Sequence, residues 1–368
     1  MKIPLAKPIF DEEMTQAALD ALNNERFVLG ESVFKFEKEF ARFCGTNYAV
    51  STSSGTEALR IALIATEVGS GHEAITTPAS FIASANSIVY AQARPTFADI
   101  DLATYALSPK QIHSAISEKT KAIVPVHLYG FPADMTSINE IAQKKNLVVI
   151  EDACQAHGAE YFGRKIGNLG LIGCFSFYPS KNMTVCGDGG MLTTNDENIA
   201  RIAAKIRDCG RKSQYVHDTL GYTSRLNTVN AAIGRIQLKR LNHWNEKRRE
   251  IAVKYRKSLE NVGDLILPPD GSTSIKPVYH LYVVRTKYRD QLKSWLEAQG
   301  VNCGIHYVLP IHLQPIYKQM FGYKEGDYPA AEELCKTCLS IPIYPNITPE
   351  EISFISRKIT DFFDNQRS

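Results

Sequence analysis

The chain has 368 residues, and its 42 lysines and arginines against 39 aspartates and glutamates leave a formal net charge of +3. So small an excess gives no grounds for a nucleic-acid binder, though it leaves room for a local basic pocket that takes an anion. Hydrophobic residues at 44% and charged residues at 22% are ordinary for a globular protein, the length exceeds one ordinary core and predicts two domains, and no apolar run approaches the roughly eighteen residues of a membrane span.

In chain order, segment 48–51 reads as a strand and 56–66 as a helix. A strand at 74–77, a helix at 82–90 and a strand at 95–98 follow. Ser108 before Pro109 reads as an N-cap with proline at the first helical position. Segment 122–126 is the next strand, 137–145 the next helix, and 147–150, 173–177 and 190–194 complete the strands of this half. Short apolar strands alternating with helices predict a mostly parallel sheet covered on both faces, with ligands gathering at the strands' C-terminal ends.

Helical pattern resumes over 227–259, with apolar residues at helical spacing from Ala231 to Leu241. This long helix is expected to link a large domain, 1–240, to a smaller α+β domain, 241–368. A strand at 280–285 lies in the second. Thr348-Pro349-Glu350-Glu351 fits a capping box that opens the last helix, and the hydrophilic tail 365–368 is expected to fray.

Eight cysteines are dispersed through the chain, which argues against a disulfide framework. Cys335 and Cys338 form the one C-x-x-C, and with no second pair nearby they read as packed thiols rather than a zinc site. No metal is expected. The prolines and second lysine of the opening residues interrupt any signal-peptide core, so a cytoplasmic location, away from membranes, is the expectation.

The chemistry concentrates in two stretches. Glu151-Asp152-Ala153-Cys154-Gln155 sits at the end of the apolar run 147–150 and puts an acid at a strand mouth. Phe175-Ser176-Phe177-Tyr178-Pro179-Ser180-Lys181 puts a lysine just after another strand, ahead of Gly187, Gly189 and Gly190. A lysine and an acid at neighbouring strand mouths are what pyridoxal 5'-phosphate (PLP) needs, the lysine for a Schiff base and the acid for the pyridine nitrogen. Lys181 must lose its proton to attack an aldehyde, which burial and nearby cations favour. Strand alternation sends Glu151 and Asp152 to opposite faces, so one of them meets the ring. Ser54-Gly55-Thr56 opens a helix directly after a strand and supplies amides and hydroxyls for a phosphate.

The order and type of these residues resemble the DegT/DnrJ/StrS family of PLP-dependent nucleotide-sugar aminotransferases, over nearly the whole chain. The resemblance rests on Ser54-Gly55-Thr56-Glu57-Ala58-Leu59, on Glu151 through Gly158, and on Phe175 through Gly190. It implies the fold of type I PLP-dependent transferases, aspartate aminotransferase-like, with a large mostly parallel-sheet domain and a smaller C-terminal one. It selects Asp152 for the ring nitrogen, Gln155 for the ring's phenolic oxygen, Ser176 beside Ser54, Gly55 and Thr56 for the phosphate, and Phe81 for stacking on the ring. His157, two residues after Gln155, either supports the cofactor contacts from behind or is a satisfied core histidine. Where the family often carries an asparagine that reaches the neighbouring subunit's phosphate, this chain has Thr223.

The activity implied is transfer of an amino group, from glutamate, to a 3- or 4-keto hexose carried on a nucleotide, in a homodimer with shared active sites. Arg225 either pairs the donor's carboxylate or forms a structural salt bridge. His306, Tyr307 and His312 look sugar-facing, and His127-Leu128-Tyr129-Gly130 looks like a pocket wall. Three rivals remain at this point. A sugar dehydratase of the same family would carry histidine in place of Lys181. A cysteine desulfurase would use a reactive thiol, for which Cys186 stands close. A catalytically inactive regulatory relative would be expected to have lost Lys181, Asp152 or the phosphate turn.

Overall fold

A computed structural model of the chain describes residues 2–367. The seven strand-like segments of the first half pair into one sheet. In chain order they are β1 (Tyr48–Thr52), β2 (Glu73–Thr76), β3 (Arg94–Phe97), β4 (Thr120–Ile123), β5 (Val148–Asp152), β6 (Ile172–Ser176) and β7 (Gly190–Thr194). Across the sheet the order is β1-β7-β6-β5-β4-β2-β3. Only β7 runs against its neighbours β1 and β6; the remaining pairs are parallel. This is the predicted α/β architecture, with each strand within a few residues of its expected place.

The sheet is buried on both faces, which explains its near-continuous apolar runs. One face packs under Val50, Leu59, Ile61, Ile150 and Leu192. The other packs under α2 (Glu31–Cys44), a helix not anticipated from the sequence. Its buried residues Val33, Phe36, Phe40 and Cys44 fall on one stripe at helical spacing. The Phe40 ring meets Phe175 edge-on at 5.0 Å, and Phe36 meets Phe177 at 5.3 Å. These contacts anchor the chain immediately before the Lys181 loop. A preceding helix, α1 (Glu12–Asn24), is capped by Asp11, which accepts from the Met14 amide.

The helix expected at 56–66 is α3 (Gly55–Ala65), with Ser54 as N-cap accepting from Glu57. Then come α4 (Ala83–Tyr90), α5 (Pro109–Ala115), α6 (Met135–Lys145) and α7 (Glu197–Arg207). Ser108 precedes α5, but its side chain makes no capping bond, so proline at the first turn carries that start alone.

The long helix is α8 (Thr228–Leu259). It runs unbroken through the expected boundary at 240. Its first half packs with α1 and the main core through Ile233, Leu238, Leu241 and Trp244. Its second half enters a separate core through Ile251, Ala252, Tyr255 and Leu259. That core also holds β8 (Tyr282–Arg285), β9 (Cys338–Ile341), α9 (Arg289–Ala298) and α12 (Pro349–Arg367). Ile3 belongs to it as well, bridged to Val301, although the sequence placed the N-terminal segment with the large domain. Two shorter helices, α10 (Pro315–Phe321) and α11 (Pro329–Thr337), lie between α9 and β9.

Thr348 and Glu351 form the expected capping box, each side chain bonding the other's amide at 3.2 and 2.8 Å. Residues 365–367 continue α12 instead of forming a separate tail; Ser368 lies outside the described residues. Among the described residues no helix is long and apolar enough to cross a membrane.

Candidate active site

The C-terminal ends of β1, β5 and β6 meet at one edge of the sheet. At the end of β5 the two acids part as alternation requires. Glu151 is fully buried on one side. It accepts from the amides of Gly167, Leu169 and Gly170 at 2.7–2.9 Å and from His127 Nε2 at 3.1 Å. His127 Nδ1 accepts from the Ala133 amide at 3.0 Å, so its Nε2 holds the proton. Burial raises the Glu151 carboxyl, but the His127 bond and the Gly170 and Gly167 amides outweigh it and hold the pKa below the usual range. On the other side Asp152 accepts from Ser84 Oγ at 2.6 Å and from the Cys154 amide at 3.2 Å.

Lys181 lies in the loop between β6 and β7, and its side chain is partly buried. Burial pushes its pKa down, opposed by the fields of Cys154 and Asp152. That places the amine electrostatically beside the Asp152 carboxylate and favours the neutral, nucleophilic form. The loop is held from below by the next residue. Asn182 donates to Asn245 Oδ1 of α8 at 2.9 Å and to the Val278 carbonyl at 3.0 Å, and its Oδ1 stands 3.3 Å from His280 Nδ1.

Three histidines share this neighbourhood. Burial first, and the Lys181 charge second, hold His157 at about 3 and His306 at about 4, and push His280 well below its usual value. All three are therefore neutral near pH 7. His157 corrects its sequence reading: it is a core residue packed on Phe175 and Phe177, but neither ring nitrogen has a hydrogen-bond partner.

The turn after β1 closes against β6. A Cβ added to Gly55 would lie 2.7 Å from Ser176 Cβ and 2.8 Å from Cys154 Sγ, so only glycine lets the first turn of α3 come this near. One on Gly190 would lie 2.3 Å from the Ser54 carbonyl oxygen. The first amides of α3 have no intrahelical acceptor and, with the Thr56 and Ser176 hydroxyls, form a ready anion cradle.

Beyond the end of β5, Gln155 is locked by both ends of its amide. Its Oε1 accepts from the Tyr129 amide at 2.8 Å and its Nε2 donates to Tyr307 Oη at 3.2 Å. The Tyr307 ring lies 5.9 Å from that of Phe81, which is 54% exposed and so free to cover a bound ring. Tyr129 Oη also donates to the His306 carbonyl, and His306 Nδ1 stands 2.8 Å from Ser340 Oγ. The His127 to Gly130 segment thus holds both Gln155 and the 306–307 loop.

Three expected residues stand apart. His312 is fully buried, bonded to Glu332 at 3.1 Å and packed edge-on to Tyr328 at 4.8 Å; it has no free face for a sugar and serves the packing of α10 and α11. Arg225 pairs with Asp208 at 2.7 Å, the structural alternative. Thr223 is exposed, and its hydroxyl lies 3.4 Å from Cys209 Sγ. The residue Cys186 is exposed, its thiol is partly covered, and that desolvation raises its pKa, the reverse of an activated thiolate, which speaks against the desulfurase reading.

Sequence reasoning missed Ser84, Asn182 and His280. Ser84 meets Asp152, and His280 meets Asn182, across 68 and 98 residues of sequence, pairings that no local pattern signals. Asn182 directly follows Lys181 and was within reach of the motif.

The site suits PLP. The first amides of α3 with the Thr56 and Ser176 hydroxyls suit a phosphate, Asp152 takes one donor on each oxygen, and burial pushes the Lys181 pKa down, toward the neutral amine. The comparisons with known proteins agree. Residues 8–360 match the DegT/DnrJ/EryC1/StrS aminotransferase family. The chain is 42% identical to a "Pleiotropic regulatory protein" of Geobacillus stearothermophilus, over 95% of this chain and 94% of that one. It is 40% identical to the UDP-N-acetyl-3-dehydro-alpha-D-glucosamine 3-aminotransferase of Acidithiobacillus ferrooxidans, over 96% and 94%. The crystal structure of DesV from S. venezuelae superposes with a TM-score of 0.93 at 37% identity, covering 96% of this chain and 94% of that one. The chain belongs to the DegT/DnrJ/EryC1/StrS family: it is a PLP-dependent aminotransferase with the type I fold.

Proposed function

We propose that this enzyme transfers an amino group from glutamate to carbon 3 of a nucleotide-linked keto hexose. The observation that carries the reading is the placement of Lys181, a partly buried amine pushed toward its neutral form beside Asp152 and the Gly55 cradle. Carbon 3 is favoured over carbon 4 by the printed name of the Acidithiobacillus relative.

When bound, PLP supplies an electron sink for the carbon that loses a proton. Lys181 Nζ would hold the cofactor and, as a free amine, would serve as the general base and acid at the substrate carbon. Asp152 would pair with the ring nitrogen and keep it protonated. Gln155 directs its remaining N–H to the ring's phenolic oxygen. Ser54, Gly55, Thr56 and Ser176 hold the phosphate, and Phe81 covers one ring face. His306 and Tyr307 line the sugar's approach. With the keto sugar as the second substrate, Lys181 would move the proton in the opposite direction, which fits a two-stage, ping-pong reaction.

Exposed Phe27, Phe34, Tyr178, Tyr215 and Leu220 support a homodimer with shared active sites, in which Thr223 reaches the partner's phosphate. Eight unpaired cysteines support a cytoplasmic location.

Single-turnover reaction of the amino-loaded enzyme with 3-keto and 4-keto sugars, each on UDP and dTDP, tests the assignment. The 3-keto compounds are expected to react fastest. Preference for 4-keto compounds rejects the position, and no reaction with any of them favours a regulatory role like that named for the Geobacillus relative.

A further inference from the structure

Ser84 is the second residue of α4, where a serine ordinarily turns its hydroxyl on its own helix. Instead, its Oγ crosses to β5 and meets Asp152 Oδ2 at 2.6 Å. Behind it, Ser80 Oγ lies 2.8 Å from Ser84 Oγ. The direction of this chain follows from valence. An ionised carboxylate only accepts, and a hydroxyl has one proton to give. Ser84 therefore donates to Asp152, and Ser80 donates to Ser84.

All three residues are buried, at 4%, 2% and 4% exposure for Ser80, Ser84 and Asp152. In such surroundings linked hydrogen bonds polarise and strengthen one another. The other Asp152 oxygen accepts from the Cys154 amide, so the carboxylate is gripped at both oxygens and its plane is set. Residues 80–84 also carry Phe81, so one stretch of backbone bears both the candidate ring cover and the brace on the ring's partner.

We propose that Ser84, backed by Ser80, is a positioning residue for Asp152: it fixes the carboxylate's orientation and weakens its pull on a proton, leaving that proton on the cofactor's ring nitrogen. The inference rests on the reading that Asp152 meets that nitrogen. Without the Ser84 hydroxyl, the carboxylate draws the shared proton toward itself. The ring then withdraws fewer electrons, and the nitrogen joining the cofactor to Lys181 becomes more basic.

The test compares Ser84→Ala, Ser84→Thr, Ser80→Ala and Asp152→Asn by two readouts. One is the PLP dissociation constant from equilibrium dialysis. The other is the pH midpoint of the visible absorption change of the bound cofactor. Ser84→Ala is expected to bind PLP about tenfold more weakly, as for loss of one hydrogen bond to a charged group, with an upward shift of the midpoint. Ser84→Thr, which keeps the hydroxyl, restores both, and Ser80→Ala shifts the midpoint upward by less. An unmoved midpoint in Ser84→Ala, or a threonine no better than alanine, overturns the proposal. If Ser84→Ala does not fold, Ser80→Ala decides it, and an unmoved midpoint there is fatal. Asp152→Asn separates the two levels. If it too changes neither readout, the role of Asp152 itself is wrong; if it changes them while Ser84→Ala does not, only the role of Ser84 falls.

Discussion

Glu151 and Asp152 are adjacent acids at the end of one strand, and their surroundings could hardly differ more. Glu151 takes four donors, three of them backbone amides, and both its oxygens are occupied. Asp152 takes one donor on each oxygen and stands on the side of Lys181. The first acid ties β5 to His127 and to the 167–170 loop, so its charge is consumed by architecture. The second keeps acceptor capacity for a ligand. Burial does not separate the two acids, since both are buried; they differ in the number of donors, four on Glu151 and two on Asp152.

That division can be broken by substitution. Lys181→Ala, on the Asp152 side, is expected to lower turnover by at least about 10⁴-fold, since on the proposed reading it removes both tether and proton carrier. A steady-state assay measures it, and substantial remaining turnover rejects the lysine. Asp152→Asn should cost about 10²–10³-fold in kcat with the melting temperature nearly unchanged. Near-normal rates count against its role. Glu151→Ala should do the opposite, lowering stability by about 3–5 kcal/mol because His127 and three amides lose their acceptor. Denaturant titration reads this out; a normal midpoint with lost activity would reverse the two assignments.

The smallest effect concerns His157. Its pKa is about 3 when folded, against an ordinary imidazole value when unfolded. Above about pH 6.5 both states are neutral and the group adds no pH dependence. As the pH falls from there toward 3, the unfolded chain takes a proton the folded one refuses, so stability is lost through that window. Between about pH 6.5 and 4.5 the loss should be roughly 2 kcal/mol, and His157→Phe should flatten that part of the curve. Calorimetry of wild type and variant at both pH values checks this; parallel curves would remove His157 from the account.

Much of this molecule was readable before its structure. The strands of the sheet announce themselves because burial on both faces makes them apolar runs. Lys181, Asp152 and the Ser54–Thr56 turn stand out because their chemistry needs particular residues at strand ends. α1 and α2 went unread, although the stripe Val33, Phe36, Phe40 and Cys44 is regular; no motif drew attention to it. His312 misled because a histidine near a presumed sugar loop looks the same whether it faces a cleft or Glu332. Ser84 was invisible in principle, since its partner is fixed only by the packing of α4 against the sheet.

α8 runs from one hydrophobic core into the other without a break, and Asn245 on it holds the residue next to Lys181. A hybrid of this enzyme with a relative therefore has no hinge at which to splice. One extra residue near position 247 would turn everything downstream by about 100°, presenting Ile251 and Tyr255 to water. Exchange of the C-terminal third has to preserve helical phase, whichever sugar the new half is meant to accept.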